Sequence, residues 1–134
     1  MNKPKCLVFD LDWVLCELWD SSNPYNHNGE ELIIQGMYTI WVWVKFTCDT
    51  RIILTGRKRK DYWKITEKWL SDNSIYYSEL IMQEWSQGEK NHIYKEKELV
   101  KLQERYDIVA MVDDNPDLIP VCKKLGILLL QVHR

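Results

Sequence analysis

The stretch CLVFDLDWVL, residues 6–15, decides the fold. Its first four residues are all apolar, as expected for a strand that helices cover on both faces. The apolar run then ends in two aspartates, Asp10 and Asp12, with one leucine between them. Burying a carboxylate costs free energy unless a counter-charge lies close to it, and a second carboxylate nearby raises that cost. The stretch therefore predicts a buried strand whose carboxyl end requires a positive partner.

Strand-like and helix-like segments alternate along the rest of the chain. Five apolar segments predict strands, at residues 6–10, 51–55, 79–82, 107–112 and 127–132. Apolar residues at helical spacing predict helices at 30–47, 61–71 and 92–105, and Asn115-Pro116 and Gly126 mark the ends of a fourth helix. Residues 16–29 are rich in turn formers and predict a long loop. The alternation predicts an α/β protein, a three-layer Rossmann-like fold with an open five-stranded parallel sheet.

The segment 30–47 has a competing interpretation. Five apolar residues recur there at helical spacing, namely Ile33, Met37, Ile40, Trp41 and Val44. Residues 40–44 are β-branched or aromatic and also suit a strand. A parallel sheet needs a crossover connection at this point, which favours the helix. In the later helices, the spacing places the following apolar residues on the inner face: Trp63 or Ile65, Trp69 or Leu70, and the set Ile93, Leu99 and Leu102.

Length and composition are those of an ordinary globular protein. The 134 residues predict a single domain over 1–134, and the hydrophobic fraction of 46% with 28% charged residues is typical of that class. The net charge of −2 neither favours nor excludes an anionic ligand. Four widely spaced cysteines fit reduced packing residues, and no signal peptide or membrane span is recognisable. We therefore expect a cytoplasmic protein with no membrane partner.

Polar residues gather where the predicted strands end. The first strand ends in Asp10-Leu11-Asp12, the second in Thr55-Gly56-Arg57, and the fourth in Asp113-Asp114, while Lys95 and Lys97 lie on the preceding helix. Open α/β sheets bind ligands at the carboxyl ends of their strands. If these three strands are neighbours, their carboxylates form an oxygen-rich site for a hard divalent cation, most simply Mg²⁺. This cation would be the positive partner of Asp10 and Asp12.

These motifs resemble the haloacid-dehalogenase (HAD) superfamily of phosphotransferases. The resemblance rests on Asp10-x-Asp12-x-Val14-Leu15 after an apolar strand, a Thr at the end of the second strand, a downstream Lys and an Asp-Asp pair after the fourth strand. More narrowly, LTGRKRKDYWKITEKWLSDNSIYYSELIMQ and KEKELVKLQERYDIVAMVDDNPDLIPVCKKLGILLLQV are similar to the 3′-phosphatase domain of phage polynucleotide kinase–phosphatases. The resemblance covers nearly the whole chain.

The resemblance implies four catalytic residues. Asp10 would attack phosphorus and form an aspartyl-phosphate. Asp12 would protonate the leaving alcohol and then deprotonate the water that hydrolyses the intermediate. Thr55 would donate a hydrogen bond to a phosphoryl oxygen, and Lys95 would lie against Asp10 and the phosphate.

The resemblance also implies a metal site and a substrate site. The metal site would hold Mg²⁺ with Asp10, the backbone carbonyl of Asp12, and Asp113 supported by Asp114. The substrate site would include Arg57 as a clamp, Gly56 beside it, and Trp13. Trp13 occupies a position where the superfamily usually has Gly, and Gln83 stands where the polynucleotide phosphatases have Arg.

Simpler interpretations exist for several of these residues. A lone D-x-D after a strand is often a turn or a helix cap, and Asp113-Asp114 is also compatible with capping the next helix. Lys97 competes with Lys95 as the catalytic lysine, although the Lys-Glu pattern favours Lys95. The run Arg57-Lys58-Arg59-Lys60 is either a solvated face or a contact for nucleic-acid phosphate, and we favour the phosphate because cations at a helix start are otherwise unfavourable.

The gaps between the motifs leave room for a minimal cap only, so we expect an open site that accepts a polymer end. Trp13, Trp19 and Trp85 would lie in or beside the site loops. Each is either a packing residue, which is the more common role, or a contact on which a base stacks.

The expected activity is Mg²⁺-dependent removal of 3′-phosphates from polynucleotide ends. Hydrolysis of free nucleotides or other small phosphate esters, and a catalytically weakened binding module, stay open as alternatives. No G-x-x-x-x-G-K-[ST] motif is present, so 5′ phosphorylation would need a separate kinase, and a ligase is a further candidate partner.

Overall fold

The computed structural model describes residues 2–17, 27–45, 47–84 and 89–133. Its elements, in chain order, are β1 (Lys5–Phe9), β2 (Cys16–Glu17), β3 (Leu32–Ile33), α1 (Gln35–Val44), β4 (Thr50–Lys58), α2 (Arg59–Asp72), β5 (Glu79–Gln83), α3 (Asn91–Arg105), β6 (Asp107–Asp113), α4 (Leu118–Leu125) and β7 (Leu128–Gln131).

A five-stranded parallel sheet forms the centre of the fold. Its strand order is β5-β4-β1-β6-β7, so β1 is the middle strand and pairs with β4 on one side and β6 on the other. This order confirms the predicted α/β Rossmann-like architecture. It also confirms the assumption behind the site prediction, because the three strands with polar carboxyl ends are direct neighbours.

Side chains of β1 alternate between two apolar cores, one on each face of the sheet. Leu7 and Phe9 pack in the core formed with α1 and α2, where the Trp41 ring meets the Phe9 ring edge-on at 4.9 Å. Cys6 and Val8 pack in the core formed with α3 and α4. The continuous apolar run of the first strand is therefore explained by burial on both faces.

The segment 30–47 is helical over Gln35–Val44, so the helix interpretation is confirmed and the strand alternative is wrong. The helix begins five residues later than predicted because Leu32–Ile33 pairs antiparallel with Cys16–Glu17 in a small hairpin. That hairpin lies partly inside the segment predicted as loop, whose residues 18–26 are outside the described part of the chain.

Two residues expected in the core are exposed. Ile93 is 42% exposed and Ile40 45%. On α3 the buried face is rotated toward Tyr94 and Lys95, and it shares only Leu99 and Leu102 with the prediction. In the described part of the chain, no helix has the length and apolar character needed to cross a membrane.

Candidate active site

Three carboxylates meet at the carboxyl ends of β1 and β6. Oxygen atoms of Asp10, Asp113 and Asp114 all lie within 4.8 Å of one another. The side chains of Asp10 and Asp113 are buried, and that of Asp114 is half-buried. The strand order places these carboxylates side by side, as predicted from the sequence.

Local hydrogen bonds hold two of the carboxylates in place. Leu11 N–H donates to Asp10 Oδ1 at 2.8 Å, and Asn115 N–H donates to Asp113 Oδ1 at 3.0 Å. The backbone of Asp10 is fixed to β6, since its N–H donates to the carbonyl of Val112 at 2.9 Å. Each acidic side chain is thus oriented by the turn that follows its own strand.

A buried ammonium group lies among these carboxylates. Lys95 Nζ is 3.0 Å from Asp10 Oδ1 and 2.6 Å from Asp113 Oδ2, and its side chain is fully buried. Lys97, the competing candidate, instead pairs at the surface with Glu89. The geometry therefore places Lys95, and not Lys97, at the site.

The cluster carries more negative charge than Lys95 can offset. Burial and the neighbouring carboxylates of Asp113 and Asp12 raise the pKa of Asp10 well above its usual range, although Lys95 opposes the shift. Burial and Asp113 also raise the pKa of Asp114. Burial alone would lower the pKa of Lys95, but Asp10 and Asp113 outweigh it and raise that pKa, so the lysine stays charged. When all three carboxylates are ionised, as they would be around a metal, one ammonium leaves two negative charges uncompensated, which matches the charge of a divalent cation.

Asp12 points to a different partner. Arg57 donates to it through Nε at 3.0 Å and through Nη2 at 2.6 Å, a two-point ion pair. Burial would raise the pKa of Asp12, but the hydrogen bonds and charge of Arg57 outweigh this effect and lower it. The side chain of Asp12 is therefore held as a carboxylate and stands apart from the three-carboxylate cluster.

These two arrangements, side by side at the carboxyl ends of adjacent strands, agree with the comparisons to known proteins. The family described as "Polynucleotide kinase PNKP phosphatase domain" matches residues 4–134. The chain belongs to this HAD-like phosphatase family. No curated protein matches the sequence.

Two solved structures share the fold of the phosphatase domain. The chain is similar to one described as "Structure of the Pnkp1/Rnl/Hen1 RNA repair complex", with 25% sequence identity and a TM-score of 0.87. A second, described as "Structure of Pnkp1/Rnl/Hen1 complex", gives 27% identity and a TM-score of 0.85. Each alignment covers 97% of this chain but only 42% and 46% of the respective solved chains. The present chain thus spans less than half the length of these relatives, and the single-domain expectation stays a prediction.

Arg57 lies in the interior of the phosphatase domain. Besides Asp12, it donates through Nη1 to Thr66 Oγ1 at 2.9 Å and through Nη2 to Glu31 Oε1 at 3.2 Å. Its side chain is 2% exposed, so in this structure the guanidinium is committed to protein acceptors. These contacts do not show the predicted role of Arg57 as a substrate clamp. Direct contact between Arg57 and the substrate stays a prediction.

Glu31, Thr66 and His27 are site residues that sequence reasoning missed. Glu31 and Thr66 contact Arg57, and His27 Nδ1 lies 4.0 Å from both Asp12 Oδ1 and Glu31 Oε1. The His27 ring meets Tyr62 edge-on at 4.8 Å. Burial and the nearby Arg57 lower the pKa of His27 to about 4, so the imidazole is neutral at pH 7.

Thr55 and Gly56 line the site from β4. Thr55 is buried, and its Oγ1 accepts a hydrogen bond from Arg57 N–H at 3.2 Å. A Cβ atom added to Gly56 would lie 2.7 Å from Asn91 Oδ1, so glycine allows the start of α3 to approach β4 closely. Both residues border the carboxylate cluster, in agreement with their predicted position.

Trp13 has a left-handed backbone conformation, with φ of 64°. This region is unfavourable for a residue with a bulky side chain and is readily adopted by glycine. Trp13 N–H donates to the carbonyl of Cys16 at 2.7 Å, which closes the turn after β1. The structure thus gives a physical reason why glycine suits this position, and it places the indole at the edge of the site.

A cavity of about 950 Å³ opens above these residues. Its lining includes Asp10, Asp12, Trp13, Thr55 and Gln83, together with the lysines Lys58 and Lys90. Asp12 contributes a side chain that is 20% exposed, in contrast to the buried Arg57 beside it. The cavity is therefore acidic at its base and carries cations in its wall.

The side chains of the basic run 57–60 lie in different environments. Arg57 is buried, whereas Arg59 stacks on the Trp63 ring with its guanidinium carbon 3.9 Å from the centroid. Lys58 and Lys60 are exposed, and Lys58 lines the cavity. The burial of Arg57 rules out a solvated face for that member of the run, and a contact of the run with nucleic-acid phosphate stays a prediction. Trp19 and Trp85 lie outside the described residues.

Proposed function

We propose that this chain is a Mg²⁺-dependent phosphomonoester hydrolase that acts through an aspartyl-phosphate, and that it removes 3′-phosphates from polynucleotide ends in nucleic acid repair. One observation carries the proposal, namely the buried Asp10–Asp113–Asp114 cluster with Lys95, next to the separately held Asp12. Membership in the phosphatase family supports the same conclusion.

The carboxylate cluster has the donor set that a hard divalent cation prefers, with oxygen ligands and an uncompensated negative charge. Asp10, Asp113 and Asp114 would hold Mg²⁺, and the backbone carbonyl of Asp12 is a further predicted ligand. When bound, the ion would neutralise charge between the anionic nucleophile and the phosphoryl oxygens.

In the proposed reaction, a carboxylate oxygen of Asp10 forms a bond to phosphorus while the bond from phosphorus to the alcohol oxygen breaks. Asp12, which is a carboxylate in the free chain, would take up a proton from solvent as the substrate binds and pass it to that leaving oxygen. Water then attacks phosphorus, Asp12 takes up a proton from this water, and the Asp10–phosphorus bond breaks to release inorganic phosphate. Thr55 and Lys95 border the nucleophile and would bind phosphoryl oxygens.

The substrate proposal rests on the shape and charge of the cavity. A volume of about 950 Å³ exceeds what a phosphoryl group needs, and the exposed Lys58 and Lys90 in its wall suit the phosphates of a strand. Trp13 and Gly56 border the same cavity and are proposed substrate contacts. One of the two similar solved structures is described as an RNA repair complex, which favours a nucleic-acid end.

A kinase or ligase partner is part of the proposal. The sequence contains no P-loop motif, whereas the similar solved chains are more than twice as long and occur in complexes with Rnl and Hen1. We propose that 5′ phosphorylation and joining are carried out by other chains or domains. The four cysteines are free and buried, which suits a reducing compartment such as the cytoplasm.

Phosphate release from three substrates tests the proposal. A 3′-phosphorylated oligonucleotide, a 3′-mononucleotide and an aryl phosphate are compared at equal concentration, with Mg²⁺ and with EDTA. We expect the oligonucleotide to have the highest kcat/KM and all turnover to stop in EDTA. Preference for the mononucleotide would replace the proposed substrate by a small ester, and no release from any of the three would favour a binding module.

A further inference from the structure

Glu31 is a fully buried carboxylate with incomplete hydrogen bonding. Its side chain has 0% exposure, and Oε1 accepts from Arg57 Nη2 at 3.2 Å. Within the described residues, Oε2 has no hydrogen-bond partner. An unsatisfied buried acceptor costs about 1–3 kcal/mol. The buried carboxylate of Glu31 therefore lowers the stability of the folded chain, and packing alone gives no reason for a charge at this position.

Charge compensation of Arg57 does not explain Glu31. Asp12 already forms a two-point ion pair with that guanidinium, so one positive charge faces two carboxylates. If Glu31 were apolar, Arg57 and Asp12 would remain a neutral pair. Replacing a buried charge by an apolar group of similar volume is often neutral or stabilising when no partner is left unpaired.

The contacts of Glu31 and Thr66 do fix the guanidinium plane. Glu31 lies just before β3 and accepts from Nη2, while Thr66 lies on α2 and accepts from Nη1 at 2.9 Å. Two acceptors from separate elements prevent rotation of the planar group about its own axis. Because Asp12 is bound through Nε and Nη2 of the same plane, its carboxylate orientation follows that of Arg57.

We propose that Glu31 is a positioning residue for Asp12. It anchors Arg57 so that the carboxylate of Asp12, which lines the cavity and is 20% exposed against 2% for Arg57, is aimed at the leaving oxygen. The assignment rests on the proposed function, in which Asp12 transfers a proton to that oxygen. Loss of the anchor would leave the nucleophile and the carboxylate cluster intact, since within the described part of the chain the contacts of Glu31 are to Arg57, His27 and Trp69.

Leaving-group dependence is the signature of this role. Hydrolysis of an alkyl phosphate or a nucleotide 3′-phosphate needs protonation of the leaving alcohol. The nitrophenolate of p-nitrophenyl phosphate, in contrast, leaves without being protonated. General acid catalysis contributes roughly 10²–10⁴-fold, so a misplaced acid affects the alkyl ester far more than the aryl ester. The ratio of the two rates is independent of how much of a variant is folded.

The experiment compares Glu31→Leu, which keeps the volume, with Glu31→Gln, which keeps an acceptor for Arg57. Glu30→Gln is the matched control on an exposed neighbouring glutamate. Single-turnover release of the leaving group is measured for an alkyl and an aryl ester with Mg²⁺. We expect Glu31→Leu to lose about 10-fold or more on the alkyl ester and less than about 3-fold on the aryl ester, with Glu31→Gln close to wild type.

Equal losses on both esters, or no loss, would overturn the proposal. Thr66→Val removes the second anchor and should give a smaller loss of the same selectivity, which provides the test if Glu31→Leu does not fold. If the wild type hydrolyses no ester, the proposed function fails. Crystal structures of the wild type and of Glu31→Leu then test the positioning role of Glu31 by itself. A two-point Asp12–Arg57 pair retained in Glu31→Leu contradicts positioning, and a displaced Asp12 supports it.

Discussion

Lys95 Nζ lies 2.6 Å from Asp113 Oδ2, and neither side chain has any exposed surface. This ion pair joins α3 to the carboxyl end of β6, and a third group, Asp10, shares the ammonium at 3.0 Å. Removing one partner of a buried pair leaves an uncompensated charge, which typically costs 3–5 kcal/mol. The same contact therefore serves the packing of α3 and the electrostatics of the nucleophile.

Replacing Lys95 should reduce both stability and activity. Lys95→Met removes the only cation facing the carboxylate cluster among the described residues, so we expect a loss of about 3–5 kcal/mol in urea unfolding at pH 7 in EDTA. Phosphate release should fall by at least about 100-fold. Lys97→Met is the control, because its exposed pair with Glu89 contributes little. Similar losses for both variants would contradict the placement of the catalytic lysine.

Asp10→Asn should abolish turnover and yet stabilise the metal-free protein. The pKa of Asp10 is raised above its unfolded value, so at neutral pH the folded state bears the cost of ionising a buried group beside other carboxylates. An amide removes that cost. Thermal unfolding in EDTA should shift to higher temperature while phosphate release becomes undetectable. Retained turnover would refute the assignment of the nucleophile.

Magnesium should stabilise the wild type through the carboxylate cluster. At a free concentration of 100 times its Kd, the ion adds about 2.7 kcal/mol to the free energy of unfolding. Asp113→Asn removes a central ligand and should lose most of this increment. Asp107→Asn changes an exposed carboxylate at the opposite end of the same strand and should keep it. Equal magnesium responses would show that the ion binds elsewhere.

Trp13→Gly should weaken substrate binding without a matching loss of stability. Left-handed backbone costs a residue with a Cβ about 1–2 kcal/mol, and glycine removes this cost, which offsets the lost packing of the indole. We expect KM for a 3′-phosphorylated oligonucleotide to rise about 10-fold, because base stacking contributes roughly 1–3 kcal/mol, with the aryl phosphate unaffected. A clear drop in melting temperature with unchanged KM would make Trp13 a packing residue.

His27 should make the fold sensitive to mild acid. Its pKa is lowered from 6.5 to about 4, so between these values the unfolded chain binds a proton that the native state does not. Stability is therefore fully present above pH 6.5 and declines as pH falls toward 4, by about 1–3 kcal/mol in all. His27→Gln should flatten urea-unfolding stability between pH 7 and 5. The exposed His133→Gln should leave the slope as in wild type.

The sequence predicted the parts of the site that strands determine. Asp10, Thr55 and Asp113 each follow or end an apolar run, and the strand order brings such ends together in any open parallel sheet. Lys95 was identified through the family resemblance. Its burial cannot be predicted from the apolar pattern of the helix, because lysine is a polar residue and the pattern places Ile93 on the inner face, although Ile93 is exposed.

The partners of Arg57 gave no local signal in the sequence. Glu31 and Thr66 come from separate segments, and each is compatible with an exposed position when its neighbours alone are considered. Arg57 itself is predicted as a site residue from its place after the second strand. Only the packing of α2 and the short β2–β3 hairpin brings them together. That hairpin has two residues per strand, which is too short for an alternating pattern to be recognised.

The position of Lys95 on α3 has a consequence for related sequences. Leu99 and Leu102 follow it by one and two helical turns and lie on the same buried face. Deleting one residue between the lysine and these leucines would rotate the ammonium by about 100° around the helix, away from both aspartates. Active homologues should consequently keep a K-x-x-x-h-x-x-h spacing, where h is an apolar residue, even where the other helix positions differ freely.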